Sequence, residues 1–322
     1  MNTINHFSSS NDELHWLLTS PALFAQLNDV PLMPLMPLMP PEARSRIAQA
    51  LRSFLSSAEH AGLSEYRGTV GHRAEMLLAH ALAHCPGIEL IAQQKTLRVH
   101  AQTIGELDVL YDDHARQRRV HCELSVRMLL QRHPQADGSA WCGSDPRHPF
   151  SEKWQRMRDH QIPLGQHPDV PRHPTWPTVS EALILGWALQ PLNQPWPDLL
   201  GAAPDHLRGW WVRHGEQDVP RASRAARFVV IPPDRWIAFV ALPNASTVLA
   251  PGELSTHLRH HFANHENAVF VAEVVRNAHG HWQELTRGAV VHQRWPEMPH
   301  NLQKSKCAST AKTQRRKEKT TD

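Results

Sequence analysis

Several absences narrow the reading of this 322-residue chain. Four cysteines stand far apart at Cys85, Cys122, Cys142 and Cys307, with no C-x-x-C spacing, which argues against a zinc ribbon and against a disulfide framework. Reduced thiols point to a cytoplasmic protein. No run of about 18 apolar residues occurs, so no transmembrane helix is expected. The start, MNTINHFSSSNDELHW, lacks the basic and apolar segments of a secretory leader. There is no G-x-x-x-x-G-K-[ST] phosphate loop and no G-x-S-x-G nucleophile elbow, which removes ATPases and serine hydrolases from consideration. Basic charge is scarce where a fold would carry it. The total is +3, yet Gln303 to Asp322 holds seven Lys/Arg against two Asp/Glu, a net of +5, so the other 302 residues carry −2. The high pI belongs to a tail, which is weak support for a nucleic-acid-binding body.

What is present is a globular composition, 41% hydrophobic and 20% charged. Leucines from Asn11 to Asn28 have helical spacing, interrupted at Ser20-Pro21. PLMPLMPLMP, from Pro31 to Pro40, carries proline at every third place and reads as a polyproline II linker. Helices are expected over Pro41–Glu59 and Val70–Ala83, the second containing Glu75. Three strand-like runs follow, then a loop from His133 to Pro149 and a helix over Ser151–His160 with Ser151 as cap. Pro163 to Pro177 is the best linker candidate. The second half reads as strands at Ala182–Leu189, on both sides of Pro-Pro-Asp-Arg within Arg227–Leu242, at Ala268–Arg276 and at Trp282–Val291, with a helix at Leu254–His265. That helix sets His257/His261 and His261/His265 at i, i+4 spacing without the intervening Glu of a zinc helix. The expected fold class is α/β (α+β). Residues 1–40 form a helical segment and linker, 41–165 a core of mixed sheet flanked by helices, 176–300 a β-rich region and 301–322 a disordered basic tail.

Chemistry concentrates in Ile104 to Arg127, IGELDVLYDDHARQRRVHCELSVR. Side chains alternate across a strand, so Glu106 and Asp108 share one face, as do Glu123, Ser125 and Arg127. Val120, Cys122, Leu124 and Val126 take the opposite, core-facing side. Paired as a hairpin, the two runs bring three carboxylates toward one spot, and Glu75 supplies another from the preceding helix. Carboxylates from a helix and two adjacent strands are a ligand set for one or two Mg²⁺ ions. A bound cation there polarises a phosphate and generates a nucleophilic hydroxide.

This order resembles the PD-(D/E)XK nuclease superfamily. More narrowly it is similar to a domain-of-unknown-function family of uncharacterised bacterial proteins within it. The motifs that carry the resemblance are GELD at Gly105–Asp108, ELSVR at Glu123–Arg127, WCGSD at Trp141–Asp145, the helix bearing Lys153, and HQIPL at His160–Leu164. It covers about Gly68 to Leu164. The resemblance implies a restriction-endonuclease-like sheet and phosphodiester hydrolysis of DNA or RNA with Mg²⁺ or Mn²⁺. It implies Asp108 and Glu123 as metal ligands, Glu75 as an accessory carboxylate and Glu106 as a contributor through water. The chain departs from the pattern at the lysine: Ser125 stands two residues after Glu123, and Arg127 stands four after it. Arginine stays protonated and cannot serve as a general base, though it can clamp a phosphate. Lys153 is the alternative amine. The competing reading is a catalytically inactive nuclease-fold module that binds nucleic acid or a protein partner. A third is a structural protein, favoured by the −2 charge outside the tail.

Overall fold

The computed structural model describes residues 10–25, 36, 38–51, 69–216, 219, 225–242 and 247–297. The tail expected at 301–322, and the end of the helix expected to reach Glu59, lie outside them.

The order of elements is α1 (Ser10–Thr19), α2 (Pro41–Ala50), α3 (Val70–Ala83), β1 (Ile88–Val99), β2 (Gln102–Asp113), β3 (Arg118–Gln131), β4 (Trp141–Cys142), α4 (Phe150–Arg156), β5 (Thr178–Pro191), β6 (Leu207–Arg213), β7 (Arg227–Ile231), β8 (Ala241–Leu242), α5 (Pro251–Asn264), β9 (Val269–Arg276) and β10 (Trp282–Val291). One mixed ten-stranded sheet runs β1-β2-β3-β5-β6-β10-β9-β7, with β4 on β3 and β8 on β10. The expected α+β class is what the chain adopts. β3 and β5 pair in parallel from Arg119↔Thr178 to Leu130↔Leu189, so the sheet is continuous between the first and second halves of the chain.

Alternation builds two faces. Val120, Cys122, Leu124 and Val126 of β3, with Leu183, Leu185 and Trp187 of β5, join the largest core, which α1, α2 and α3 cover. The opposite face buries Leu129, Ala182 and Ile184 against Phe150, Trp154 and Met157 around α4. Farther along the sheet, Val269 and Val271 on this face pack on Leu254 and Leu258 of α5. Helix α3 starts because the Thr69 side chain accepts from the His72 N–H, and it ends in a turn closed by Gly87 at φ +76°. Its buried stripe of Ala74, Leu77, Leu78, Ala81 and Leu82 fixes the face it turns to the sheet.

Several expectations change. After α1 the chain is extended rather than helical. The Leu23 N–H donates to the Ile184 carbonyl and the Met39 N–H to the Ala182 carbonyl, so both segments close the part of the β5 edge that β6 leaves open. The end of the proline-rich tract is therefore a strap at the sheet edge, with Met39 buried in the helix-covered core and Met36 in the core on the opposite face. Ser151 is not a cap: Pro149 precedes α4 and no side chain caps it. The helix stops at Arg156, continuing as a π turn (Met157–Gln161) and a 3-10 turn (Ile162–Gln166). β7 and β8 do not pair with each other but with β9 and β10. β6 had no expectation; its Leu-Arg-Gly-Trp-Trp-Val-Arg run hides alternation behind two adjacent tryptophans. No described helix is long and apolar enough to cross a membrane.

Candidate functional site

The site lies where the sheet forks. The β2–β3 ladder runs from Asp113↔Arg118 to Val109↔Cys122 and stops. The next residues on the two strands are Asp108 and Glu123. Carboxylates directly opposite one another repel, and here the strands part rather than pair. The N–H of Leu124, freed from the ladder, donates to Asp108 Oδ2 at 2.9 Å. β1 stays with β2 beyond this point and β3 stays with β5, so a gap opens between the two pairs.

Three layers reach this gap. Asp108 and Glu123 come from the sheet. Glu75 comes from α3, and the gap lets its charge bear on both of them. Lys153 of α4 and Gln161 of the π turn come from the other side. Gln161 donates to Glu123 Oε2 at 2.6 Å and accepts from Lys153 Nζ at 2.7 Å. The π turn contributes geometry: an extra residue in one turn re-aims the side chain that follows, as inserted turns at functional sites commonly do. The other oxygen of Glu123 meets His121 Nε2 at 3.0 Å, and His121 Nδ1 lies 3.2 Å from Ser180 Oγ of β5. Arg127 donates from Nε to Ser125 Oγ at 2.8 Å. Across β2 from the fork, Gln94 stands opposite Asp108, between the pairs Gln93↔Val109 and Lys95↔Leu107. Its φ of +50° is a left-handed conformation that few non-glycine residues adopt, and it places the amide where Nε2 donates to Glu75 Oε2 at 3.1 Å.

The electrostatics follow from burial and crowding. Asp108 is pushed up to about 8, first by burial and then by the charges of Glu123 and Glu75, while the Leu124 N–H and Lys153 act the other way. Glu75 is also raised, mainly by burial, against the opposing Gln94 bond. Burial lowers Lys153, with Arg127 adding like-charge repulsion, and burial lowers Arg127. A carboxyl held protonated into the neutral range, first by burial and then by two neighbouring acids, is a perturbed group of the kind found at functional sites.

Glu75, Asp108, Glu123, Arg127 and Lys153 are thus gathered around one gap. Glu106 sits at its rim, exposed, accepting from Thr96 and bearing on Glu75. Trp141 to Asp145 lies apart: Trp141 is core and Asp145 pairs with Arg147 at the surface. Among the described residues no group of three or more His, Cys, Asp or Glu is set to hold a metal ion. The carboxylates that the sheet itself brings to the gap are the two of Asp108 and Glu123. His121, Ser180, Gln161 and Gln94 were not singled out from the sequence. His121 was accessible to the same two-residue alternation that grouped Glu123 with Arg127. Ser180 required the β3–β5 register, and Gln94 a left-handed residue hidden in a polar stretch.

No curated protein matches the chain, and neither does any solved structure. A family model does match, over residues 12–291, from α1 to the last residue of β10. The chain belongs to the family described as Domain of unknown function (DUF1853).

Proposed function

We propose that this is a nuclease-like protein of the PD-(D/E)XK type, acting on DNA or RNA phosphodiesters with Mg²⁺ or Mn²⁺. The observation that carries the reading is the strand fork, which sets Asp108 and Glu123 across a gap, with Asp108 pushed up to about 8 first by burial and then by the charges of Glu123 and Glu75. Crowded acids of this kind gain most from a dication, and hard carboxylate oxygens suit Mg²⁺ and Mn²⁺. When bound, the metal would polarise a phosphoryl oxygen and lower the pKa of a water. Asp108 and Glu123 would hold it. Glu75, steadied by Gln94, would orient a water from the α3 side, with Glu106 contributing at the rim through water. The Arg127 guanidinium, whose single hydrogen bond among the described residues uses Nε, keeps both terminal nitrogens for a phosphate. Lys153 is the one amine here whose proton affinity is lowered, which suits it better than Arg127 to proton transfer.

A second reading has its own observation. Both oxygens of Glu123 already have partners in His121 and Gln161, and Arg127 occupies the lysine position of the resembled family. A nuclease-fold module that binds nucleic acid or a protein partner without cutting fits these facts.

The test incubates the protein with plasmid, single-stranded DNA and RNA in Mg²⁺ or Mn²⁺, beside Asp108→Ala and Glu123→Ala. Cleavage abolished in both variants supports the enzyme. Binding without cleavage, falling steeply with salt, supports the module. Neither cleavage nor binding removes both readings.

A further inference from the structure

Glu123 is held by a chain of groups that runs through the sheet into the second half of the protein. His121 and Glu123 sit two residues apart on one face of β3, both inaccessible to solvent, at 0% and 1% exposure. His121 Nε2 meets Glu123 Oε1, and Nδ1 meets Ser180 Oγ on the neighbouring strand, whose Ser180 pairs in register with His121. An ionised carboxylate only accepts, so Nε2 donates, and in the neutral imidazole Nδ1 then accepts the Ser180 hydroxyl proton. The imidazole is closed in by the 3-10 turn. A Cβ on Gly165 would lie 2.1 Å from Ser180 Oγ and 2.7 Å from His121 Nδ1, so only glycine lets the turn come this near. Ser180 itself is half-buried, so the turn covers the imidazole more completely than it covers the hydroxyl.

We propose that His121, anchored by Ser180 under Gly165, is a positioning residue that fixes the Glu123 carboxylate for a divalent cation. The inference rests on the metal-site reading above. Two rigid hydrogen bonds, from His121 to one oxygen and Gln161 to the other, set the carboxylate plane before a cation arrives. The ordering cost is then met on folding rather than on binding. The parallel register that brings Ser180 to His121 makes β5 part of the site, which would otherwise belong to the first half of the chain alone.

The test is Mn²⁺ titration calorimetry on the full chain, with thermal melts in EDTA as the check on folding, for wild type, His121→Gln, His121→Phe and Ser180→Ala. Glutamine can place its amide nitrogen near the position of Nε2. His121→Phe is expected to weaken Mn²⁺ binding about 10- to 100-fold, Ser180→Ala several-fold, and His121→Gln least of the three. Recovery in His121→Gln relative to His121→Phe separates positioning from packing. Equal Mn²⁺ affinity in wild type, Ser180→Ala and whichever His121 variants fold would overturn the inference while leaving the metal site standing. No Mn²⁺ binding by wild type overturns both.

Discussion

Replacing Asp108 by Asn tests the acid crowding at the fork without any substrate. The ordinary carboxyl value for Asp108 is 3.8, and the fold pushes it up to about 8. Between those values the folded chain keeps a proton that the unfolded chain has released. Stability from this source is complete below the lower value and is lost as pH rises through the upper one. Each unit amounts to about 1.4 kcal/mol, so about 4 kcal/mol is lost between about pH 5 and pH 8 if Asp108 alone holds the proton. Sharing it with Glu123 and Glu75 spreads the titration, and about 2 to 4 kcal/mol is expected. Asparagine does not titrate, and its side-chain oxygen can still accept from the Leu124 N–H. Urea denaturation of both proteins in EDTA across this range isolates the effect, because background titrations cancel in the difference. Asp108→Asn should gain on wild type steadily as pH rises. At the upper pH, Mg²⁺ should then restore wild type and leave the variant unmoved, since a ligand stabilises only the state that binds it. A difference that stays flat with pH would refute the raised Asp108 value, and with it the burial and crowding that argue for a cation at this place.

Other outcomes follow from the same geometry. Arg127→Lys supplies an amine at the position where the resembled family carries one, and Mg²⁺-dependent cleavage should rise relative to wild type; an unchanged or lower rate in a plasmid-nicking assay argues that Arg127 serves the phosphate. Gly165→Ala drives a methyl into Ser180 Oγ and His121 Nδ1 and should destabilise by about 1–3 kcal/mol in chemical denaturation, with a loss of Mn²⁺ affinity beyond that of a remote core variant. Leu77→Ala, in the buried stripe of α3, is that control: it should cost about 2–5 kcal/mol and leave cation affinity unchanged while folded.

The parts of this fold that could be read from sequence are those in which one local pattern meets one local environment. α3 ends where its apolar spacing ends, and β3 buries the face that alternation assigns, because a one-residue slip would expose Val120, Cys122, Leu124 and Val126 together. Elements whose environment is made by distant chain were harder to read. The strap at Leu38 and Met39 looks like a linker until β5 offers an unfilled edge. The strand over Ile88–Val99 looks broken because Gln93, Gln94 and Lys95 interrupt its apolar pattern, and only the fold shows Gln94 reaching Glu75. Glu123 was expected on a polar face, yet it is buried, since α4 and the turns after it cover that face.

The fork also bears on the plainest alternative, that Arg127 merely neutralises these carboxylates. An arginine with that purpose forms ion pairs, as elsewhere in this protein: Arg119 grips Asp112 with two nitrogens, and Arg116 grips Glu181 in the same way. At the fork the cations stand apart from the acids. Among the described residues Arg127 bonds only to the Ser125 hydroxyl and Lys153 only to the Gln161 amide. Gln161 then passes its own N–H to Glu123, keeping a neutral amide between the lysine and the carboxylate. Holding like charges together on each side, with Lys153 lowered partly by Arg127 and Asp108 raised partly by Glu123, opposes stability and persists only where the surrounding structure enforces it. Direct pairing would relieve both sides at once. An arrangement that withholds it is what the proposed function requires, with the acids open to an external cation and the guanidinium to an external anion.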